Sequence, residues 1–223
     1  MAYASRQVIP ARAVAAALVL LAMAARAEGL DVPTAAYRAA AAAGHVGTVA
    51  GRATEQPRRR AAAETPLSGF SVTLVPRSQE LLGQLRGIAD RARTDPEAYR
   101  RTAPDIVAVR RDIERALFEA GAGDLVKYGP VQADGRFELR DVPEGEWLLL
   151  ALRPVFVDRP SPQPKPSEKE MFAPGRRISG YYAVAVWVRE VSVSAGRETV
   201  VRLTDRNVWM TAIEEKPAPG AGR

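Results

Sequence analysis

The stretch VQADGRFELRDVPEGEWLLLALRP, residues 131–154, turns at Asp134-Gly135, turns again at Pro143-Glu144-Gly145, and then becomes almost wholly apolar. Asp-Gly tolerates the positive φ angles of a tight hairpin. Between the turns, Phe137 and Leu139 face inward while Glu138 faces out, the period of a half-buried strand. From Trp147 to Leu152 both faces are apolar, so both must be covered. An opposing sheet can cover one of them. The other needs a second layer, and the spacing elsewhere in the chain supplies helices for it.

Residues 44–213 read as one β-rich domain. Gly44 opens GHVGTVAGRAT, where valine and threonine alternate with glycine as expected of an edge strand. Pro66 and Gly69 set a turn, after which Phe70, Val72 and Leu74 fall on one face and Ser71 and Thr73 on the other, until Pro76 stops the strand. Residues 78–120 then change to helical period and predict an inserted hairpin. Ser78 caps a stripe of Leu81, Leu85 and Ile88, weakened by Gly83 and Gly87. Thr102, with Pro104 and Asp105 behind it, reads as the start of a second helix carrying Ile106, Val109, Ile113 and Leu117, ended by Gly121 and Gly123. Beyond Asp124 the chain is β again. Residues 154–178 hold a run of prolines that predicts a long surface loop, residues 28–43 are an alanine-rich leader, either short helix or loose chain, and residues 214–223 read as a disordered tail.

Two stretches together resemble the carboxypeptidase regulatory-like domain, a transthyretin-like β-sandwich. The first is GRATEQ followed by TPLSGFSVTLV, with Gly51, Pro66-Leu67, Gly69 and the alternating Phe70, Val72 and Leu74. The second is VQADGRFELRDVPEGEWLLLAL, with Asp134-Gly135, Phe137, Leu139, Pro143, Gly145 and Trp147. The resemblance implies a mainly β fold, a transthyretin-like or Ig-like sandwich of about seven strands, used as an accessory or adhesion module. The helical hairpin is a departure, because the family joins these strands by a short segment.

Arg6 and Arg12, an apolar run from Ala13 to Ala25, and Ala25-Arg26-Ala27 before Glu28 have the order of a secretory signal peptide over residues 1–27. The apolar run of 13 residues is shorter than the roughly 20 that a spanning helix needs. Cleavage leaves 29 basic and 26 acidic residues, a net of +3 in place of +6. A periplasmic or extracellular chain without an integral span is expected. Nucleic acid fits poorly as a partner, since the basic residues are not concentrated on one face; Arg58-Arg59-Arg60 reads as a solvated loop. With no cysteine, thiol chemistry and cysteine-bound metals are excluded, and stability must come from burial.

His45 alone supplies an imidazole, which leaves no Ser-His-Asp triad beyond a strand-edge residue and no histidine metal cluster. Asp134, Glu138, Asp141, Glu144 and Glu146 are explained by turns and an outward face rather than by a glycosidase pair. No catalytic, metal or cofactor residue is assigned. The candidate binding surfaces are Arg100, Arg101, Arg110, Arg111 and Arg115 on the helical hairpin, and the strand-borne rings of Trp187 and Trp209. The reading is an exported, non-enzymatic β-sandwich that contacts an envelope protein through the helices or the proline-rich loop. The alternative is a carbohydrate- or envelope-polymer-binding module using the aromatics, and a small hydrolase stands third. Burial of the tryptophans would remove the aromatic platform.

Overall fold

Alternating segments of the chain pair into two sheets in the computed structural model, which describes residues 31–57, 63–160 and 177–218. Sheet A is built on β1 (Val46–Glu55), flanked by antiparallel β5 (Arg136–Pro143) and parallel β8 (Glu198–Thr204), with the two-residue β2 (Thr65–Pro66) continuing the β5 side. Sheet B is antiparallel throughout, in the order β4 (Lys127–Pro130), β3 (Ser71–Pro76), β6 (Gly145–Val157), β7 (Ile178–Val193), β9 (Met210–Pro217). Helix α1 (Thr34–Ala42) precedes β1, while α2 (Gln79–Thr94) and α3 (Pro96–Glu119) lie between β3 and β4. The fold is thus a mainly β sandwich carrying helices, with nine strands among the described residues.

The two turns that dominate the sequence carry the chain between sheets. Around Gly135 (φ 82°) the amide of Gln132 donates to Arg136 while the chain leaves β4 in sheet B and enters β5 in sheet A. Glu144 alone separates β5 from β6, which returns to sheet B. The Asp-Gly segment is therefore an intersheet corner and not the two-stranded hairpin that its composition suggests. Between the corners, β5 bulges opposite β1, and Asp141 takes φ 52° there, a conformation that aspartate tolerates better than most residues.

Each face of β6 meets a different layer. Trp187, paired with Ala151, directs its indole N–H to the Thr204 carbonyl of sheet A at 2.9 Å and stacks on Phe70 with ring centroids 5.7 Å apart. That side is the sandwich interior. Leu148, Leu150, Val186 and Val188 point the other way and are equally buried. Leu81, Leu82, Leu85, Ile88, Ile106 and Leu117 of the helices belong to the same contiguous core, and α3 runs against β9. Burying a leucine or isoleucine side chain contributes about 1.5–3 kcal/mol, so the apolar stripes of α2 and α3 are held by packing.

Several local expectations are corrected. GHVGTVAGRAT is the centre of sheet A, because its glycines permit close approach: a Cβ on Gly51 would lie 2.2 Å from the Phe137 ring and 2.3 Å from the Val201 carbonyl. Helix α3 begins earlier than Thr102. Asp95 accepts from the Glu97 amide at 2.8 Å and Pro96 occupies the first turn, so Pro104 falls in the helix interior, where it removes one hydrogen bond. The buried Thr102 bonds its hydroxyl to the Ala98 carbonyl at 3.0 Å. Pro154 pairs with Val184 inside β6 rather than opening a loop, and Glu214–Pro217 extend β9. Ser78 caps α2 by accepting from Leu81 at 3.0 Å. The proposed signal segment 1–27, Arg58–Arg60, residues 161–176 of the proline-rich stretch and residues 219–223 of the tail lie outside the described residues.

The leader is a structural part of the domain. Asp31 accepts from the Ser78 hydroxyl and from the Glu80 amide, tying the chain before α1 to the start of α2. Tyr37 is buried edge-on against Trp147, with centroids 4.9 Å apart, and its phenol donates to the Glu146 carbonyl. Burial pushes the Asp31 carboxyl up, but its hydrogen bonds from Ser78, Glu80 and the adjacent backbone together outweigh that and hold it below its ordinary value.

Candidate functional site: the open face of sheet A

Strand periodicity puts alternate residues of β1, β5 and β8 on the outer side of sheet A. Register then aligns them in rows. Arg52 on β1 lies opposite Arg136 on β5 and Arg202 on β8, while Ala50 lies opposite Glu138 and Val200, and Thr48 opposite Glu198. Adjacent strands are about 4.8 Å apart, so the arginine row crosses the face within roughly 10 Å. Val200 is 66% exposed beside Ala50, giving a low, apolar floor next to the arginine stems.

These rows form part of a groove of about 790 Å³, continued by Pro130, Gln132 and Glu64, with the buried Thr54 and Thr204 beyond the arginines. Its charges are segregated. Arg136 is paired with Asp134 at 3.4 Å, and Glu138 is held by Arg140 through contacts of 2.8 and 3.1 Å. The hydrogen bonds from Arg140 keep the Glu138 carboxyl below its ordinary value. Arg52 and Arg202 carry no ion pair or side-chain hydrogen bond among the described residues. Like charges directly opposite each other on a sheet are destabilising, so fold stability gives no account of this row.

The residues singled out by sequence fall elsewhere. Trp187 is 1% exposed and belongs to the core, so it is removed as a binding residue. Trp209 is half-buried in the bend before β9, packed against that core. The exposed Phe156 meets the half-buried Tyr182, inclined at 59° with Lys216 over Phe156, a geometry that offers no common stacking plane. On α3, Arg101 pairs with Asp105, Arg110 with Glu114 and Arg115 with Asp112, one helical turn away in each case, and Arg100 contacts both Glu97 and Glu215. Arg111 is exposed. Most of these arginines are taken up by ion pairs within the helix, Arg100 reaches β9 through Glu215, and the Arg110–Glu114 pair is partly buried beside Tyr128 of β4.

His45, Asp134, Asp141 and Glu146 do not line the groove. His45 is exposed before β1, Asp134 accepts from the Arg136 amide at 3.0 Å, Glu146 from the Ser192 hydroxyl at 2.6 Å, and Asp141 sits in the β5 bulge. Asp31 and Glu138 are held below their ordinary values, opposite to the direction a carboxylic general acid needs. Among the described residues no cluster of histidine and carboxylate residues could hold a metal ion, and no helix is long and apolar enough to cross a membrane.

Sequence reasoning missed Arg52, Arg136 and Arg202. Each is legible as outward-facing within its own strand, but their alignment requires the register between distant segments. No family model and no curated protein matches the chain. Among solved structures, it is similar to a Pseudomonas aeruginosa protein described provisionally as carbohydrate-binding, with 15% identity, TM-score 0.39, and coverage of 72% of this chain and 88% of that one. It is also similar to the pilus backbone protein of Streptococcus pneumoniae, with 11% identity, TM-score 0.27, and coverage of 70% of this chain and 40% of that one. These low scores add nothing to the functional argument.

Proposed function

We propose that the protein is an exported, non-enzymatic binding module of the carboxypeptidase regulatory-like type, and that it engages an envelope component through the open face of sheet A. The observation that carries this reading is the contrast in solvent access. Leu148, Leu150, Val186 and Val188 on the outer face of sheet B are buried under α2 and α3, whereas sheet A leaves a groove in which Arg52 and Arg202 have no ion-pair partner among the described residues. The signal-like segment supports export. The helical hairpin acts as a structural cover, so its deletion would expose Leu148 and Leu150 and confound any binding test.

The test compares capture of envelope components by wild type, Ala50→Trp, which fills the groove, and Arg111→Glu on α3. Loss with Ala50→Trp and retention with Arg111→Glu is the expected result. Retention with Ala50→Trp, or loss with Arg111→Glu alone, would overturn the reading. Aromatic-platform recognition receives no support from the buried Trp187.

A further inference from the structure

We infer that the groove on sheet A takes an acidic polysaccharide, with the Arg136–Arg52–Arg202 row binding its carboxylate groups. This deepens the proposed function and rests on that reading of the face. The register places the guanidinium stems at successive strand spacings across the sheet. A row of this kind meets charges repeated along an extended chain better than it meets one isolated anion. Arginine donors match carboxylate geometry, and the exposed guanidinium groups of Arg52 and Arg202, without an ion-pair partner among the described residues, are available for it, while Arg136 shares its charge with Asp134.

The other charges of the groove narrow the class. Glu64, Glu138 and Glu198 line it together with the arginines. A densely charged polyanion such as nucleic acid or polyphosphate would be repelled by these carboxylates. A hydroxyl-rich polymer with one carboxylate per sugar can be met twice over: its acids lie on the arginine row, and its hydroxyls donate to the glutamates. The floor of Ala50 and Val200 is low and apolar, suited to the C–H face of a pyranose ring. An acidic peptide fits less well. The backbone groups of β1 are already committed to β5 and β8, so the floor of the groove offers a peptide main chain nothing to pair with, and pairing could occur only along the outer edges of β5 and β8.

The row also has a stability signature. Opposed like charges disfavour the fold, so replacing the central arginine should raise the melting midpoint slightly while weakening binding. A purely structural role would lower both.

The experiment measures binding of purified protein to polygalacturonate, alginate, fully methyl-esterified polygalacturonate and poly-glutamate, at low and at physiological salt. At least one of the two acidic polysaccharides is expected to bind, the esterified polymer at least about tenfold more weakly, with affinity falling as salt rises. The Arg52→Gln/Arg202→Gln variant should lose at least about tenfold, with an unchanged or raised melting midpoint. Binding to neither acidic polysaccharide, equal binding of the esterified form, or equal binding by the variant overturns the inference. Preferential binding of poly-glutamate, abolished by Ala50→Trp, would reject the polysaccharide while leaving the sheet A face as the binding surface. Poly-glutamate binding unaffected by Ala50→Trp would reject both.

Discussion

The two outer faces of the sandwich are made by strands of the same alternating geometry, yet the centre of one is covered and the other is open. On sheet B the outward residues of β6 and β7 include Leu148, Leu150, Val186 and Val188, and they are sealed beneath the helices. On sheet A the corresponding positions of β1, β5 and β8 carry Arg52, Glu138, Val200 and Arg202, exposed beside a groove. The difference teaches that the helical insertion is a consequence of sheet B's composition. An apolar outer face requires a third layer, and a charged one remains free for contact.

The largest expected effect comes from the covered face. Leu150→Ala should cost about 2–5 kcal/mol in denaturant unfolding, because it leaves a cavity between sheet and helices. Val200→Ala on the open face should stay within about 0.5 kcal/mol. Similar costs at both positions would break the distinction between the faces. Gly51→Ala sharpens it from inside, since its Cβ would press on Phe137 and the Val201 carbonyl. Overpacking of that kind costs about 1–3 kcal/mol, and an unchanged midpoint would show that β1 can shift within sheet A.

Smaller effects are expected where α1 is strapped to the sandwich. Tyr37→Phe removes the hydrogen bond to Glu146 and keeps the ring against Trp147; about 0.5–1.5 kcal/mol should be lost. Asp31 adds a pH dependence. Its carboxyl is depressed in the folded state, so its contribution is fully present above the ordinary value of 3.8 and disappears as the pH falls through the lower folded value. Thermal melts across that acid window should show a decline that Asp31→Asn reduces. Identical profiles would detach this carboxylate from the stability of the strap.

Much of the fold was legible because period and turn chemistry are local. Phe70, Val72 and Leu74, the Ser78 cap, and the change to helical spacing in 78–120 needed only neighbouring residues. Errors arose where two local signals competed or a distant partner decided. Asp95-Pro96 and Thr102-Ala103-Pro104 are both start signals, and the earlier prevails because one continuous helix buries Thr102 and Ala103 at the cost of an interior proline. GHVGTVAGRAT resembled an edge because its glycines remove side chains. Those same absences admit Phe137 and the Val201 carbonyl from the strands on either side.

By itself the sequence determined a mainly β chain with two sharp turns, a helical insertion, and a strand apolar on both faces. Periodicity, turn residues and hydrophobicity act over a few residues and leave their mark in order along the chain. Tertiary structure alone decided that both turns cross between sheets and that Arg136, Arg52 and Arg202 share one row. Strand register aligns residues from distant segments, and no spacing within a single segment encodes that alignment. The composition of LLLAL required a cover; the pairing of β1 with β5 and β8 placed the arginines on the face left without one.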